Sequence, residues 1–187
     1  DDDNGSDSGS AYVYRFDGSS WIETKLLASD GAEYDRFGYS VAVDGDTVVV
    51  GAYRDDDNGS GSGSAYVYRF DGSDWIETKL LASDGAEYDW FGVSVAVDGD
   101  TVVVGALYDD DNGSDSGSAY VYRFDGTDWI ETKLLASDGA SGDNFGISVA
   151  VDGDTVVVGA YWDSDNGSQS GSAYVYRFDG SSWIETK

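Results

Sequence analysis

The 187-residue chain contains no cysteine and no histidine. Without cysteine there is no disulfide, no thiol nucleophile and no thiolate metal site. That absence leaves the redox compartment open. Without histidine the chain lacks the commonest general base, the Ser–His nucleophile pair and the commonest zinc ligand. No apolar run is long enough to cross a bilayer, so membrane insertion is not expected. No signal-peptide pattern is present, and the chain starts on Asp1 rather than methionine, which reads as a processed or excerpted chain. Positive charge is scarce. Lys and Arg total 10 against 37 Asp and Glu, a net −27, and lysine occurs only at Lys25, Lys79, Lys133 and Lys187. A surface this negative repels phosphate, so nucleic acid is a poor partner and an anionic membrane is disfavoured. Two readings of the acid stay open. One is a solvated surface of the kind carried by proteins of salty habitats, where salt screens self-repulsion. The other is divalent-cation binding by aspartate-rich loops.

What is present is repetition. Hydrophobic residues make up 40% of the chain, enough for a core. The phrase GSAYVYRFDG begins at Gly9, Gly63, Gly117 and Gly171, always 54 residues apart. The phrase FGxSVAVDGDTVVVGA occurs three times, beginning at Phe37, Phe91 and Phe145. The chain thus holds three and a half units. YSVAVD alternates, with Tyr39, Val41 and Val43 on one face. TVVVGA has consecutive valines and reads as buried on both faces. AYVYRF sets Tyr12, Tyr14 and Phe16 opposite Ala11, Val13 and Arg15. WIETKLL alternates Trp21, Glu23 and Lys25 with Ile22, Thr24 and Leu26, so it has a wet face and suits an outer edge. Asp44-Gly45 and Asp17-Gly18 read as hairpin corners. No segment has a sustained helical period. The expectation is an all-β fold, a β-propeller of four-stranded antiparallel blades with a 54-residue repeat. Its divisions are an outer half-blade with connector over 1–37 and blades over 38–91, 92–145 and 146–187.

The phrase FGxSVAVDGDTVVVGA resembles the FG-GAP repeat of integrin-type β-propellers, and SGSAYVYRFDG with WIETKLLASDGA is similar to the rest of the unit in a microbial, extracellular branch of that family. The resemblance covers the whole chain. It implies a propeller fold, an extracellular or cell-surface setting and a role in adhesion or ligand binding. It also implies a calcium loop of spaced acids between the first two strands. In this chain that loop has shrunk to Asp44-Gly45-Asp46, with Asp98-Gly99-Asp100 and Asp152-Gly153-Asp154 equally short. Calcium takes six to eight oxygens, and a two-residue turn cannot wrap one. These triplets are expected to be type I′ corners.

A better place for calcium is the acidic segment joining the second strand to the third. Its oxygen donors are Asp1, Asp3 and Asn4; Asp55, Asp57 and Asn58; Asp109, Asp111 and Asn112; and Asp163, Asp165 and Asn166. The competing reading is a solvated turn held by Asx-type hydrogen bonds. No cofactor is required by either, and the spacing does not match an EF-hand.

Differences between copies gather at a few positions. Arg36 becomes Trp90 and then Asn144, and Tyr39 becomes Val93 and then Ile147. Tyr53-Arg54 becomes Leu107-Tyr108 and then Tyr161-Trp162, while Glu33-Tyr34 is kept as Glu87-Tyr88 and then becomes Ser141-Gly142. In an up-and-down blade the turns after strands two and four lie at one end. A ligand face of Tyr34, Arg36, Arg54, Tyr88, Trp90, Tyr108, Asn144 and Trp162 is expected there, rich in the residue types of interface anchors. Drift in exposed loops is the bland alternative. Trp21, Trp75, Trp129 and Trp183 recur in every unit and read as packing residues.

Three function classes follow. The first is a non-catalytic binding or adhesion module taking a protein or glycan ligand. The second is a structural repeat that self-assembles, as a homo-oligomer or within a longer chain, since exposed strand edges invite association. The third is a carboxylate-pair glycosidase. The same acids recur from unit to unit, however, and no single unlike constellation assembles acid, base and positioning groups.

Overall fold

The computed structural model describes residues 1–186. Every regular element among the described residues is a β-strand. An N-terminal pair, β1 (Ala11–Phe16) and β2 (Trp21–Leu26), forms a two-stranded sheet. Three four-stranded sheets follow. Blade I contains β3 (Ser40–Asp44), β4 (Thr47–Ala52), β5 (Ser64–Phe70) and β6 (Trp75–Leu80). Blade II contains β7 (Phe91–Asp98), β8 (Thr101–Ala106), β9 (Ser118–Phe124) and β10 (Trp129–Leu134). Blade III contains β11 (Phe145–Asp152), β12 (Thr155–Ala160), β13 (Ser172–Phe178) and β14 (Trp183–Thr186). Within each sheet the strands pair antiparallel with their chain neighbours, in the order in which the chain lays them down. Phe91 and Phe145 open blades II and III, although the expected divisions set them at the end of the preceding unit.

The valine runs explain the order of the strands. Val49, Val103 and their neighbours are fully buried because the second strand lies inside its sheet with a blade on either side. The blades stack face to face. Val49, Val67 and Leu80 of blade I pack with Phe91, Val102, Val104, Tyr120 and Tyr122 of blade II. The same residues, one repeat on, join blade II to blade III. One repeat back, Ala11 and Leu26 of the N-terminal pair meet Phe37, Val48, Val50, Tyr66 and Tyr68. Phe91 drives its ring edge-on into this layer, 5.3 Å from Tyr120 and 6.1 Å from Tyr122. Burial of such a ring stabilises by about 1.5–3 kcal/mol, with roughly 0.5–1.5 kcal/mol more from the aromatic pairing.

The glycine of TVVVGA marks the closest approach between blades. A Cβ built on Gly51 would lie 2.0 Å from the Gly92 carbonyl oxygen, and one on Gly105 would lie 1.9 Å from that of Gly146. The same carbonyls accept hydrogen bonds from Ser40 Oγ and Ser94 Oγ, each at 2.7 Å. Glycine on the second strand and serine on the first are therefore one device, which seats the next blade.

Two expectations are corrected. The corners are not type I′. Asp44 pairs with Thr47, so the loop residues are Gly45 and Asp46, and only Gly45 has positive φ (53°). That is the pattern of type II′, which needs glycine at the first loop position alone. The fourth strand does form the outer edge, but its wet face is not the one bearing Glu and Lys. Ile76 and Ile130 are half exposed, whereas Glu77 and Lys79 turn toward the neighbouring unit. Glu77 accepts hydrogen bonds from Ser29 Oγ (2.6 Å) and Tyr68 Oη (2.8 Å).

The stack is open at its start. Among the described residues β1 pairs with β2 alone, and its other edge is unpaired. Val41 and Val43 of β3 are 61% and 68% exposed, whereas their counterparts Val95 and Val97 pack against blade I.

Candidate functional site

The loops after strands two and four meet at one end of the stack, and backbone hydrogen bonds tie them together. Tyr88 N–H donates to Ser60 O (2.8 Å), Trp90 N–H to Gly61 O (3.2 Å) and Phe91 N–H to Ser62 O (2.9 Å). The same ladder joins Tyr34 to Ser6 and Arg36 to Asp7, and in blade II Gly142 to Ser114 and Asn144 to Asp115. The ladder holds bulky residues in the left-handed region: Tyr34 (φ 73°), Arg36 (61°), Tyr88 (69°), Trp90 (57°) and Asn144 (55°). That conformation costs an L-residue roughly 1–2 kcal/mol, and it persists because both loops are over-determined.

Four of the eight expected face residues line one cavity. It has a volume of 430 Å³ and is walled by Tyr34, Arg54, Tyr88 and Trp90 together with Glu33, Asp56, Ser60 and Gly61. Trp90 is its floor, half buried between Tyr53 at 4.8 Å and Tyr108 at 4.6 Å. The Arg54 guanidinium stands 5.5 Å from the Tyr53 ring and 5.9 Å from the Trp90 ring, within cation–π range. Tyr108 thus reaches the cavity only through Trp90. The other three go elsewhere. Arg36 is bound to Asp7 at 3.0 Å. Trp162 is stacked on Tyr161 at 5.0 Å. Asn144 is buried, its amide nitrogen donating to Leu107 O and Asp115 O.

The residues missed in the sequence are those opposite the variable ones. Position 61 is Gly in blade I, where the other units have Asp7, Asp115 and Gln169. Asp7 binds Arg36, the Asp115 main-chain oxygen receives Asn144, and Gly61 lies against the Trp90 ring, whose Nε1 a Cβ at Gly61 would meet at 3.6 Å, an ordinary contact. Beneath the loops, Asp35 and Asp89 are buried, and burial pushes each carboxyl up to about 6 despite the amide of Ala32 or Ala86 bonded to it.

The acidic segments come together around lysine. Lys79 Nζ lies 2.7 Å from Asp30, 3.0 Å from Asp55 and 2.7 Å from Asp57. Lys133 Nζ lies 2.7 Å from Asp84, 2.8 Å from Asp109 and 2.7 Å from Asp111. Lys25 contacts Asp1 and Asp3 in the N-terminal pair. In the last unit Asp138, Asp163 and Asp165 converge, and Lys187 lies outside the described residues. The asparagine amide nitrogens point away from the acids, into main-chain carbonyls. Asn4, Asn58 and Asn112 donate these to Ala28 O, Ala82 O and Ala136 O, while Asn166 is exposed. Asp55 is 3% exposed, and its carboxylate also lies 2.9 Å from the Tyr66 hydroxyl. Burial pushes the Lys79 amine down, but the hydrogen bonds it donates to Asp30, Asp57 and Asp55 outweigh that and hold the pKa above the ordinary lysine value. A lysine ammonium therefore occupies the centre of the acids picked out as calcium ligands in blades I and II.

The corner acids act between blades. Asp44 Oδ2 accepts the Gly99 N–H and Asp98 Oδ2 the Gly153 N–H, each at 2.8 Å. Arg15 reaches Asp46 and Arg69 reaches Asp100. Each corner is thus tied to the next.

A family model described as FG-GAP repeat matches residues 21–68, 75–122 and 129–176. The first match begins at β2 of the N-terminal pair and the other two at the fourth strand of a blade, and each ends in the third strand of the blade that follows. It spans the blade-to-blade junction, where the Phe-Gly wedge and the glycine close approach lie. The matches cover most of the chain, and with the four-stranded antiparallel sheets in register with them, the protein belongs to the FG-GAP repeat family.

Proposed function

We propose that the protein is a non-catalytic binding module, displayed outside the cell or at its surface, which captures a protein or glycan ligand on the loops after strands two and four. One observation carries the reading. The cavity of Tyr34, Arg54, Tyr88 and Trp90 is built at the positions where otherwise near-identical units diverge. Its aromatic floor offers a stacking surface for a sugar ring or an apolar side chain. Arg54, Glu33, Asp56 and Ser60 offer polar groups around it to fix orientation. No covalent chemistry is assigned to it. FG-GAP propeller modules commonly bind ligands outside the cell, which fits this reading. The acidic surface is read as adaptation to salt. Calcium is given no role at Asp55 and Asp57 or at Asp109 and Asp111, where lysine supplies the countercharge.

The test is a screen of glycan and peptide arrays with the whole chain and with Trp90→Ala. Binding to a defined class, lost in the variant while its circular-dichroism spectrum stays that of the folded parent, is the expected result. Identical binding by both proteins would remove the cavity from the reading.

A further inference from the structure

The cavity floored by Trp90 presents polar groups of both signs that the protein itself leaves unengaged. Arg54 is exposed and has no ion-pair partner among the described residues, although the chain carries 37 Asp and Glu. Arg15, Arg36 and Arg69 each reach an aspartate. The hydroxyls of Tyr34, Ser60 and Tyr88 and the carboxylate of Glu33 also have no hydrogen-bond partner among the described residues. Asp56 engages Oδ1 alone, which accepts the Gly61 N–H at 2.7 Å. By contrast, the Tyr66 and Tyr68 hydroxyls each make two hydrogen bonds. The cavity therefore offers donors from Arg54, acceptors from Glu33 and Asp56, and hydroxyls that serve as either.

This set favours one chemical class. An extended peptide binds by adding main-chain hydrogen bonds to an open edge. Here the main-chain amides are committed: Arg54 N–H to Asp35 O, Tyr88 N–H to Ser60 O and Trp90 N–H to Gly61 O. An anionic ligand would meet Glu33, Asp56 and a net charge of −27. A cationic one would meet Arg54. An uncharged ring with hydroxyls around an apolar face meets neither objection. We propose, resting on the reading of this cavity as the binding site, that its ligand is a neutral glycan. One pyranose ring stacks its C–H face on Trp90. Its hydroxyls accept from the Arg54 fork and donate to Glu33 and Asp56. The volume of 430 Å³ lies at the small end of clefts for such ligands, about 300–1,000 Å³. Although the units are near-identical, the described residues build this site once. The trio of Arg54, Gly61 and Trp90 becomes Tyr108, Asp115 and Asn144 one repeat on. Stacking and hydrogen bonds to hydroxyls act at contact, well inside the screening length of about 3 Å at 1 M salt, so capture persists at high salt.

The test uses the whole chain, isotope-labelled, and follows the indole N–H signals of its six tryptophans. The signal missing from Trp90→Phe identifies Trp90. The probes are maltotriose, cellotriose, mannotriose and chitotriose, with trigalacturonate, a lysine-rich peptide and an aspartate-rich peptide as charged alternatives. At least one neutral trisaccharide is expected to move the Trp90 signal saturably, at one site per chain. Its affinity should agree within about threefold between 0.1 M and 1 M sodium chloride. Arg54→Ala, with a circular-dichroism spectrum matching the parent, should bind it about tenfold more weakly or worse. If only a charged probe moves Trp90, the cavity stays the binding site and the neutral glycan is overturned. Equal binding by Arg54→Ala, or binding lost at 1 M salt, also overturns the assignment while leaving the site in place. If no probe moves Trp90, the assignment and the cavity reading fall together.

Discussion

Replacing Lys79 by methionine removes an ammonium while keeping a stem of similar length, and the structure sets the size of the effect. Three carboxylates lose their shared partner. Two of them, Asp30 and Asp57, are half exposed, and such pairs contribute roughly 0–1 kcal/mol each. Asp55 is different, being 3% exposed. Breaking a buried pair by removing one partner costs about 3–5 kcal/mol, because the other charge is stranded. Asp55 retains the Tyr66 hydroxyl at 2.9 Å and the Asp57 N–H at 3.2 Å, so the lower end applies, about 3 kcal/mol in total. At roughly 2–4 °C per kcal/mol for a chain of this size, the midpoint should fall by about 6–12 °C. The ammonium is fully charged at neutral pH. Its pKa is raised in the folded state, so its contribution is complete below the unfolded value of 10.5 and fades only as pH rises through the higher folded one. Thermal melts followed by circular dichroism, with and without millimolar calcium, make the measurement. The variant now presents Asp30, Asp55 and Asp57 without a countercharge, so calcium should raise its midpoint and leave the parent unchanged. A fall below about 2 °C, or an equal calcium gain in both proteins, would refute lysine as the internal counter-ion.

Three further outcomes follow from the same structure. Stability should be highest near pH 3.8 and fall toward about pH 6: Asp35 and Asp89, raised to about 6, contribute fully below 3.8 and lose that contribution as pH rises to the folded value, while Asp17, Asp71, Asp125 and Asp179, held low by backbone amides, lose theirs as pH falls through values below 3.8. A melting midpoint that climbs steadily from about pH 5 to about pH 8 contradicts this. Sodium chloride should raise the midpoint, since a net −27 repels itself and screening shortens from about 10 Å at 0.1 M to about 3 Å at 1 M; a flat or falling series tells against the charge argument. Gly105→Ala should cost about 3 kcal/mol or more, whereas Gly159→Ala, which faces only the Ser148 hydroxyl, should cost far less; similar losses in urea titrations would show that the blade crossing is not what demands glycine.

The strands were legible because their signals are local. Period-two alternation, the valine runs and the aspartate–glycine corners each fall within a few residues, and the repeat multiplies every signal by three or four. What stayed hidden depends on residues far apart in sequence. Lys79 meets Asp55 at a separation of 24 residues and Asp30 at 49. Read along its own strand, WIETKL offers Glu and Lys as the natural wet face. Only the loops of the neighbouring unit, with Ser29 and Asp30 in place, turn that face into an interface and leave Ile76 outside. The corner type was misread for a finer reason. Asp-Gly at the two loop positions signals type I′, but the pairing of Asp44 with Thr47 shifts the loop by one residue, to Gly45-Asp46. The ligand face was read in halves. The variable aromatics stood out, yet Asn144 went inward and Arg36 went to Asp7, because each answers a partner 29 residues before it.

That pairing of positions yields the most selective perturbation of the cavity. Asp7 meets Arg36 through its side chain, Gly61 faces Trp90, and Asp115 receives Asn144 on its main-chain oxygen. Gly61 has φ 60°, and Asp7, Asp115 and Gln169 hold the equivalent place at φ 57°, 54° and 53°. The backbone of this loop therefore already accommodates a side chain in three of four units. A Cβ at Gly61 would sit 3.4 Å from Tyr88 Cδ1 and 3.6 Å from Trp90 Nε1, ordinary van der Waals contact. Gly61→Asp should accordingly cost only about 1 kcal/mol, the left-handed penalty of an aspartate, and lower the melting midpoint by roughly 2–4 °C. Its carboxylate nonetheless enters the cavity between Tyr88 and Trp90 and adds negative charge beside Glu33 and Asp56. Ligand capture on this face should be lost while fold and stability are nearly kept, a split that Trp90→Ala cannot deliver as cleanly because Trp90 also packs on Tyr53 and Tyr108. The measurement is binding of any array-positive ligand beside a melt of the same sample. A variant that binds as well as the parent would place recognition elsewhere on the surface, and one that unfolds would show that Gly61 serves the loop rather than the cavity.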